Sequence, residues 1–311
     1  MNVLLTGGSS FTGVWFARRL SASGHTVVAP LKSAVADYSG LRGERVAELR
    51  RVAEVVENCA FGGTRFLDLV GGGIWDLLCH HAARVGDYRD PNFDVLGAVA
   101  ENTHNLAAVL KALSRNDFAG MVLTGSVFEQ DEGAGNTPLG AFSPYGLSKG
   151  LTWHYCRFLC EQVGVALGKF VIPNPFGPFE EPRFCSYLIR SWIKGDLPSV
   201  RTPLYVRDNI HVDLLAAAYA RFASELPSHR GVVKINPSGY VETQGAFAYR
   251  LASAMAPRLG VACPVELLDQ IEFAEPVVRL NMDHVNGAEF GWNEVAAWDQ
   301  IADFYKKRAS A

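Results

Sequence analysis

Tyr145 and Lys149 stand four residues apart in Ser143-Pro144-Tyr145-Gly146-Leu147-Ser148-Lys149. On a helix this spacing puts both side chains on one face, about one turn apart. A phenol has an ordinary pKa of about 10, and an ammonium beside it favours the phenolate and lowers that value. Such a tyrosine can exchange a proton with a substrate hydroxyl. Pro144 suits the first position of the helix. Tyr-x-x-x-Lys also recurs by chance, and alone it reads as a packing or surface pair. Its weight depends on what else the chain carries.

The second element of chemistry is at the start: Asn2-Val3-Leu4-Leu5-Thr6-Gly7-Gly8-Ser9-Ser10-Phe11-Thr12-Gly13. Val3-Leu4-Leu5 is a short unbroken apolar run, as expected of a strand buried on both faces. Gly7 opens the tight turn, and Gly7-Gly8 lets the backbone approach a pyrophosphate. Gly13 lets the following helix pack closely, and Val14, Phe16, Ala17 and Leu20 recur at helical spacing. The helix N-terminus then offers N–H groups and a dipole to phosphate. Thr26-Val27-Val28-Ala29 reads as the second strand, which completes a βαβ start in the order of the dinucleotide fingerprint. With a nicotinamide present, the Tyr145 proton transfer gains a hydride partner. Lys149 would also bond the nicotinamide ribose hydroxyls.

The end of the second strand bears on the cofactor. An NAD site usually has a carboxylate there, whereas a basic residue accommodates a 2′-phosphate. This chain reads Pro30-Leu31-Lys32-Ser33. Lys32 and Ser33 therefore favour NADP over NAD, although a lysine here can equally be a solvated loop residue.

These motifs need a framework, and 311 residues are enough for one large or two unequal domains with ample core. Strand-like runs at 3–5, 26–29, 77–80, 120–124 and 169–172 alternate with helical patterns at 13–23, 42–57, 95–114 and 145–163. This is the pattern of a Rossmann-type, doubly wound α/β fold with a parallel sheet. Prolines break up the chain after Ile172. Helical pattern resumes at 210–222, 244–255 and 293–307, with a strand at 232–235. The expected organisation is a dinucleotide-binding domain over 1–172, rejoined by about 207–236, and a smaller α/β substrate lobe from 173–206 and 237–311.

A net charge of −3, with 49% apolar and 20% charged residues, gives no electrostatic reason to expect nucleic acid or an anionic membrane. No apolar run approaches a membrane span, and the chain opens in a strand, so no signal peptide is expected. The six cysteines are scattered and have no zinc spacing. They read as reduced, mostly buried residues of a cytoplasmic protein, and no metal is expected. Adjacent His80 and His81 point to opposite sides of a strand, which argues for structural roles.

At this point the chain resembles the extended short-chain dehydrogenase/reductases, the NAD-dependent epimerase/dehydratase group, over nearly its whole length. Thr6-Gly7-Gly8-x-x-Phe11-x-Gly13 is similar to the family's cofactor motif, with Ser10 at its middle glycine. The resemblance implies cofactor contacts along Gly7, Ser9, Ser10, Phe11, Thr12 and Gly13, and from His81-Ala82-Ala83 after the fourth strand. Thr124-Gly125-Ser126-Val127-Phe128 resembles the strand end that supplies a catalytic hydroxyl, with Thr124 on that position and Ser126 near the substrate. Asn174-Pro175-Phe176-Gly177-Pro178 is similar to a substrate segment. Arg207, and Arg279 ahead of Phe290-Gly291-Trp292, resemble diphosphate-binding arginines, for which a guanidinium fork is well shaped. A surface salt bridge is the alternative for Arg279. Val99 and Val171 replace a frequent asparagine and arginine. The resemblance implies a nucleotide-diphosphate-sugar substrate and a homodimer pairing the helices that start at Val95 and Tyr145. Their apolar residues are also compatible with burial inside a monomer.

The family supports epimerisation, 4,6-dehydration or 4-keto reduction at a sugar. The resembling dehydratases place an Asp-Glu pair after the catalytic threonine. Here Gly125-Ser126 follows, which argues against that reaction and leaves Glu129 open by position. A reductase must exchange its cofactor at each turnover, usually NADPH, so Lys32 favours a 4-keto-sugar reductase. The alternative is a 4-epimerase with tightly held NAD, in which Thr124, Tyr145 and Lys149 work in both directions. A non-catalytic cofactor sensor is the remaining possibility, but such a protein has no need of all three residues.

Overall fold

The computed structural model of the protein describes residues 1–309. In chain order its main strands are β1 (Asn2–Thr6), β2 (Thr26–Pro30), β3 (Glu54–Val56), β4 (Leu77–His80), β5 (Gly120–Ser126), β6 (Ala134–Gly135), β7 (Ala166–Ile172), β8 (Asn174–Phe176), β9 (Ser199–Val200), β10 (Val206–His211), β11 (Val232–Ile235), β12 (Pro237–Ser238) and β13 (Tyr240–Thr243). The α-helices are α1 (Phe11–Ala22), α2 (Gly40–Leu49), α3 (Thr64–Gly72), α4 (Val95–Asn102), α5 (Leu106–Leu113), α6 (Pro144–Val163), α7 (Phe184–Lys194), α8 (Val212–Glu225), α9 (Gln244–Leu259) and α10 (Glu294–Ala309).

The chain forms two compact units. The first comprises residues 1–132, 139–172 and 216–236. Its seven-stranded sheet has the order β11-β7-β5-β4-β1-β2-β3, and every pairing is parallel. This is the expected doubly wound α/β sheet. Val3, Leu4 and Leu5 have no exposure, in keeping with a strand covered on both faces. On one face Leu4, Leu78 and Leu123 pack with Val109, Trp153 and Cys156. On the other, Phe16 of α1 stacks on Tyr219 of α8, ring centroids 3.8 Å apart. Strand order reverses between β1 and β4. Ligands of such sheets sit outside the carboxyl ends of the strands at this point, and the cofactor motif and His81 both lie there.

The second unit comprises residues 133–138, 173–215 and 237–311. It contains the three-stranded sheet β13-β10-β8 and a core in which Phe176, Leu188, Trp192, Phe247, Leu251 and Trp298 meet. The return to the first unit begins at Ala216 rather than about residue 207, because 206–211 is a strand of the second unit's sheet.

Three segments depart from the sequence reading. The helix expected over 42–57 ends at Leu49, and 54–56 instead forms the edge strand β3 beside β2. Val52, Val55 and Val56 match helical spacing, but β-branched residues also suit a strand, and the free edge of β2 takes them. The helix expected over 95–114 breaks at Asn105, whose φ is 50°. Here the Asn102 carbonyl turns to His80 Nε2 at 2.9 Å. The pattern at 210–222 becomes helical only from Val212. Trp15, Trp75 and Trp153 are buried. All six cysteines are free thiols, and five of them are buried.

Candidate active site

The turn after β1 has the geometry that its glycines require. Gly7 has φ of 76°, and a Cβ there would stand 2.7 Å from Ala82 N. A Cβ on Gly13 would stand 2.2 Å from the Gly7 carbonyl oxygen. Ser10, at the middle-glycine position, caps α1: its Oγ accepts the Gly13 N–H at 3.0 Å and donates to the Gly7 carbonyl at 2.9 Å. No acidic residue lies in the first turn of α1, and the N–H groups of Phe11 and Thr12 precede the first intrahelical donor, Val14. A narrow glycine turn ending on an uncompensated helix N-terminus fits a dinucleotide pyrophosphate.

Thr6 positions the loop after β4, a role that motif reading missed. Its Oγ1 accepts the N–H of His81 at 3.1 Å and of Ala82 at 3.0 Å. Its proton then goes to His80 Nδ1 at 3.0 Å, so Nε2 of His80 donates to Asn102. Burial pushes the His80 pKa down to about 4. On the opposite side of the chain, His81 Nε2 lies 3.0 Å from Ser10 Oγ and 2.9 Å from Thr12 Oγ1. Its Nδ1 lies 3.0 Å from Thr124 Oγ1. Burial, then the Lys149 charge, pushes the His81 pKa down to about 3. The two histidines therefore face different partners, and among the described residues no group of three His, Cys, Asp or Glu could hold a metal.

Ser143 caps α6 by accepting the Gly146 N–H at 3.1 Å, and Pro144 follows at the first turn. Gly146 is needed for contact: a Cβ would stand 2.1 Å from the Phe128 carbonyl oxygen. Tyr145 meets the rings of Phe93 and Phe128 edge-on, with centroids 6.2 and 6.3 Å away. Lys149 is buried and its Nζ donates to the Thr124 carbonyl. Burial lowers its pKa, while the Glu129 charge opposes that shift. Thr124 is buried at the end of β5, and half-buried Ser126 accepts the Phe128 N–H through its Oγ at 3.2 Å. These contacts join Ser10, Thr12, His81, Thr124 and Lys149 into one cluster within the first unit.

Glu129 has a different occupation. Its Oε1 accepts the Ser126 N–H at 2.7 Å and its Oε2 accepts Lys169 Nζ at 2.6 Å. Lys169 also bonds Glu132, at 2.7 Å, and lies over the Trp153 ring. Lys169 and Glu129 are 2% and 1% exposed, so Glu129 is a buried ion-pair partner. Sequence reasoning missed Lys169, because a lysine in an apolar strand has no local signal of its partners.

At the end of β2, Lys32 Nζ is 2.9 Å from Glu101 Oε1, with 73% of the Lys32 side chain exposed. Ser33 N donates to Tyr38 Oη at 3.3 Å. A cation that the motifs did not mark meets the turn: Arg42 Nη2 donates to Ser9 Oγ at 3.0 Å, and its guanidinium lies over the Tyr38 ring. Arg42 enters this site through α2, twelve residues past the end of β2, and so escapes a motif search.

In the second unit, Asn174 Nδ2 is a buried donor without a hydrogen-bond partner. Arg207, the expected diphosphate arginine, is engaged within the second unit. It donates to Glu275 at 3.0 Å and to the Val206 and Pro276 carbonyls. Its planar donor set organises the 275–277 segment. Arg279, expected either at a phosphate or in a surface pair, is 1% exposed in a short strand that pairs with β6. Burial excludes the surface pair.

Among the described residues no helix is long and apolar enough to cross a membrane. No curated protein matches the chain. The UDP-glucose-4-epimerase from Stenotrophomonas maltophila, solved with NAD and formylated UDP-arabinopyranose, is similar with a TM-score of 0.75 and 20% identity over 100% of this chain and 98% of that one. A mutant UDP-glucuronic acid 4-epimerase from Bacillus cereus, solved with NAD and a fluorinated UDP-sugar, is similar with a TM-score of 0.73 and 16% identity over 99% and 100%. The UDP-N-acetylglucosamine 4-epimerase from Methanobrevibacter ruminantium M1 follows with a TM-score of 0.67 and 18% identity over 99% and 98%. At these identities the likeness is one of fold. Residues 3–235 match the model of the NAD dependent epimerase/dehydratase family, and the chain belongs to that family of enzymes.

Proposed function

We propose that the protein is a nucleotide-sugar 4-epimerase that retains NAD through turnover and acts on a UDP-sugar. The observation that carries this reading over a 4-keto-sugar reductase is the likeness in fold, over nearly the whole chain, to UDP-sugar 4-epimerases solved with NAD. Lys32 was the residue that favoured NADPH, and Glu101 now answers its charge. Burial of Glu129 in its ion pair counts against dehydration.

When bound, the nicotinamide supplies the hydride acceptor and donor. Tyr145 takes the proton of the sugar hydroxyl and returns it. Lys149 stabilises the phenolate and holds the end of β5 through the Thr124 carbonyl. Thr124 bonds the reacting oxygen, with Ser126 nearby. Gly7 to Gly13, with His81, Ala82 and Ala83, hold the cofactor. Asn174 supplies a donor to the nucleotide sugar, and a diphosphate contact by Arg207 requires release of Glu275. The α6 residues Leu147, Leu151, Tyr155 and Phe158 are exposed at helical spacing, with Leu96 of α4. Together they support a homodimer. The buried free thiols support a reducing, cytoplasmic location.

Arg42 favours a second reading. A guanidinium bonded to Ser9 beside the turn suits a 2′-phosphate, and hence an NADPH-dependent reductase. Mass spectrometry of the nucleotide released on denaturing fresh protein separates the two. Stoichiometric NAD, with interconversion of UDP-glucose and its 4-epimer, is expected. Exchangeable NADP, with NADPH oxidation by a 4-keto sugar nucleotide, would replace the epimerase by the reductase.

A further inference from the structure

Lys149 is buried, and its Nζ meets a carbonyl, that of Thr124, rather than a carboxylate. A buried ammonium sheds its proton unless a negative charge answers it. The ionisable groups around Lys149 narrow the choice. Tyr145 and Cys156 share α6 with it, His80 and His81 lie at and just after the end of β4, Lys169 comes from β7, and Glu129 from the turn after β5. Burial holds both histidines neutral and pushes the Cys156 thiol up. Lys169 is a second cation, and Tyr145 is the group that the ammonium serves. Glu129 is the carboxylate among them. Its Oε1 accepts the Ser126 N–H at 2.7 Å, so Lys149 and Glu129 hold the peptide groups on either side of Gly125. Gly125 leaves the room for this: a Cβ there would stand 3.0 Å from Glu129 Oε1 and 2.9 Å from Lys169 Cε. The charges also balance. Glu129, Glu132 and Lys169 are buried, and Lys169 is divided between the two carboxylates. With Lys149 charged, this buried cluster holds two charges of each sign. Lys234, the other partner of Glu132, is exposed, and water weakens its share.

We propose that Glu129 is the counter-charge of Lys149, and thereby a positioning residue for the proton transfer at Tyr145. It acts across Gly125, through the field that buried charges exert on one another at low dielectric. Burial lowers the Lys149 pKa, and Glu129 opposes that shift; Lys169 acts the other way, and less strongly. An ammonium at position 149 favours the Tyr145 phenolate, and a neutral amine does not. Without Glu129 the site keeps its hydroxyls, but Lys149 loses its proton at lower pH, and the upper pH limit of turnover falls with it. The inference rests on the reading of Tyr145 and Lys149 as the proton-transfer pair.

Two variants separate charge from contact. Glu129→Gln keeps an oxygen for the Ser126 N–H and loses the charge. Glu129→Asp keeps the charge and is one methylene too short for Ser126. In the full chain labelled with ¹³Cε-lysine, the Lys149 signal is identified by its loss in Lys149→Met and followed against pH by NMR. Wild-type Lys149 should be an ammonium through the neutral range; a neutral amine at about pH 7 overturns the proposal, even where neither variant folds. Glu129→Gln should lower the Lys149 titration midpoint by about one pH unit or more, while Glu129→Asp should leave it within about half a unit. A midpoint that glutamine does not move, or that both variants move equally, overturns the counter-charge, whatever the enzyme catalyses. The second measurement is the pH profile of kcat for UDP-glucose epimerisation, with melting temperature and bound NAD checked for each variant. In Glu129→Gln the alkaline fall of kcat should move to lower pH together with the Lys149 midpoint. A uniform loss at every pH, with the alkaline limb in place, removes Glu129 from the proton transfer and leaves the epimerase reading intact. If wild-type protein leaves UDP-glucose unchanged, that substrate reading fails, and the lysine titration still decides the counter-charge.

Discussion

At the scale of single residues, the proposed chemistry and the stability of the site are carried by different groups. Tyr145 is the proposed proton-transfer group, and its ring touches Phe93 and Phe128. Tyr145→Phe keeps those contacts, so turnover should fall by about 10²–10⁴-fold while bound nucleotide, read by mass spectrometry, is unchanged. Lys169 lies between Glu129 and Glu132. Lys169→Met takes the cation from buried Glu129, while Glu132 keeps Lys234 at 3.1 Å, and should cost about 3–5 kcal/mol in urea unfolding. The histidines set an acid limit. His80 and His81 have folded pKa values of about 4 and about 3, below the unfolded value of about 6.5. Between those values the unfolded chain binds more protons, so stability is full above about pH 6.5 and falls as pH drops toward 4. Thermal melts across pH 4–7 should show this slope, and His81→Asn should reduce it.

At the scale of elements, the β1-turn-α1 unit was legible because its determinants are local. Gly7, Gly13 and the cap residue lie within seven residues; Gly7 is required by its φ of 76° and Gly13 by the approach of the Gly7 carbonyl. His81 and Ala82, which back onto Gly7, come from afar. Gly13→Ala would drive a methyl into the Gly7 carbonyl and should abolish nucleotide retention, with a lower melting temperature by differential scanning fluorimetry. The second half of the expected 42–57 helix and the middle of the 95–114 helix were not legible. In each case apolar spacing is compatible with a helix, and a distant partner decides otherwise: the edge of β2 in one, and the ring of His80 in the other.

At the scale of the whole molecule, the two units are interleaved in sequence, with 133–138 belonging to the second although the residues on both sides belong to the first. No composition shift marks so short an excursion. The α6 stripe is the feature proposed to act beyond one chain. Phe158 is 55% exposed, and a lysine there should turn the expected homodimer into a monomer in light scattering without lowering the melting temperature of the monomer. A wild-type monomer at micromolar concentration would remove the dimer.

Sequence alone determined the βαβ start, the parallel sheet that follows from it, the glycine turn for a pyrophosphate, and the pairing of Tyr145 with Lys149 on one helix face. These depend on the period of a strand or helix and on the space left by a glycine, which are properties of a few adjacent residues. Tertiary structure alone decided that Lys32 is answered by Glu101, that Lys169 consumes Glu129, that Arg207 is held by Glu275, and that His81 reaches Thr124. Hydrogen bonds and ion pairs between residues tens of positions apart leave no mark in local spacing. Whether a charged or hydroxyl side chain is available for chemistry is known only once the fold has assigned its partners.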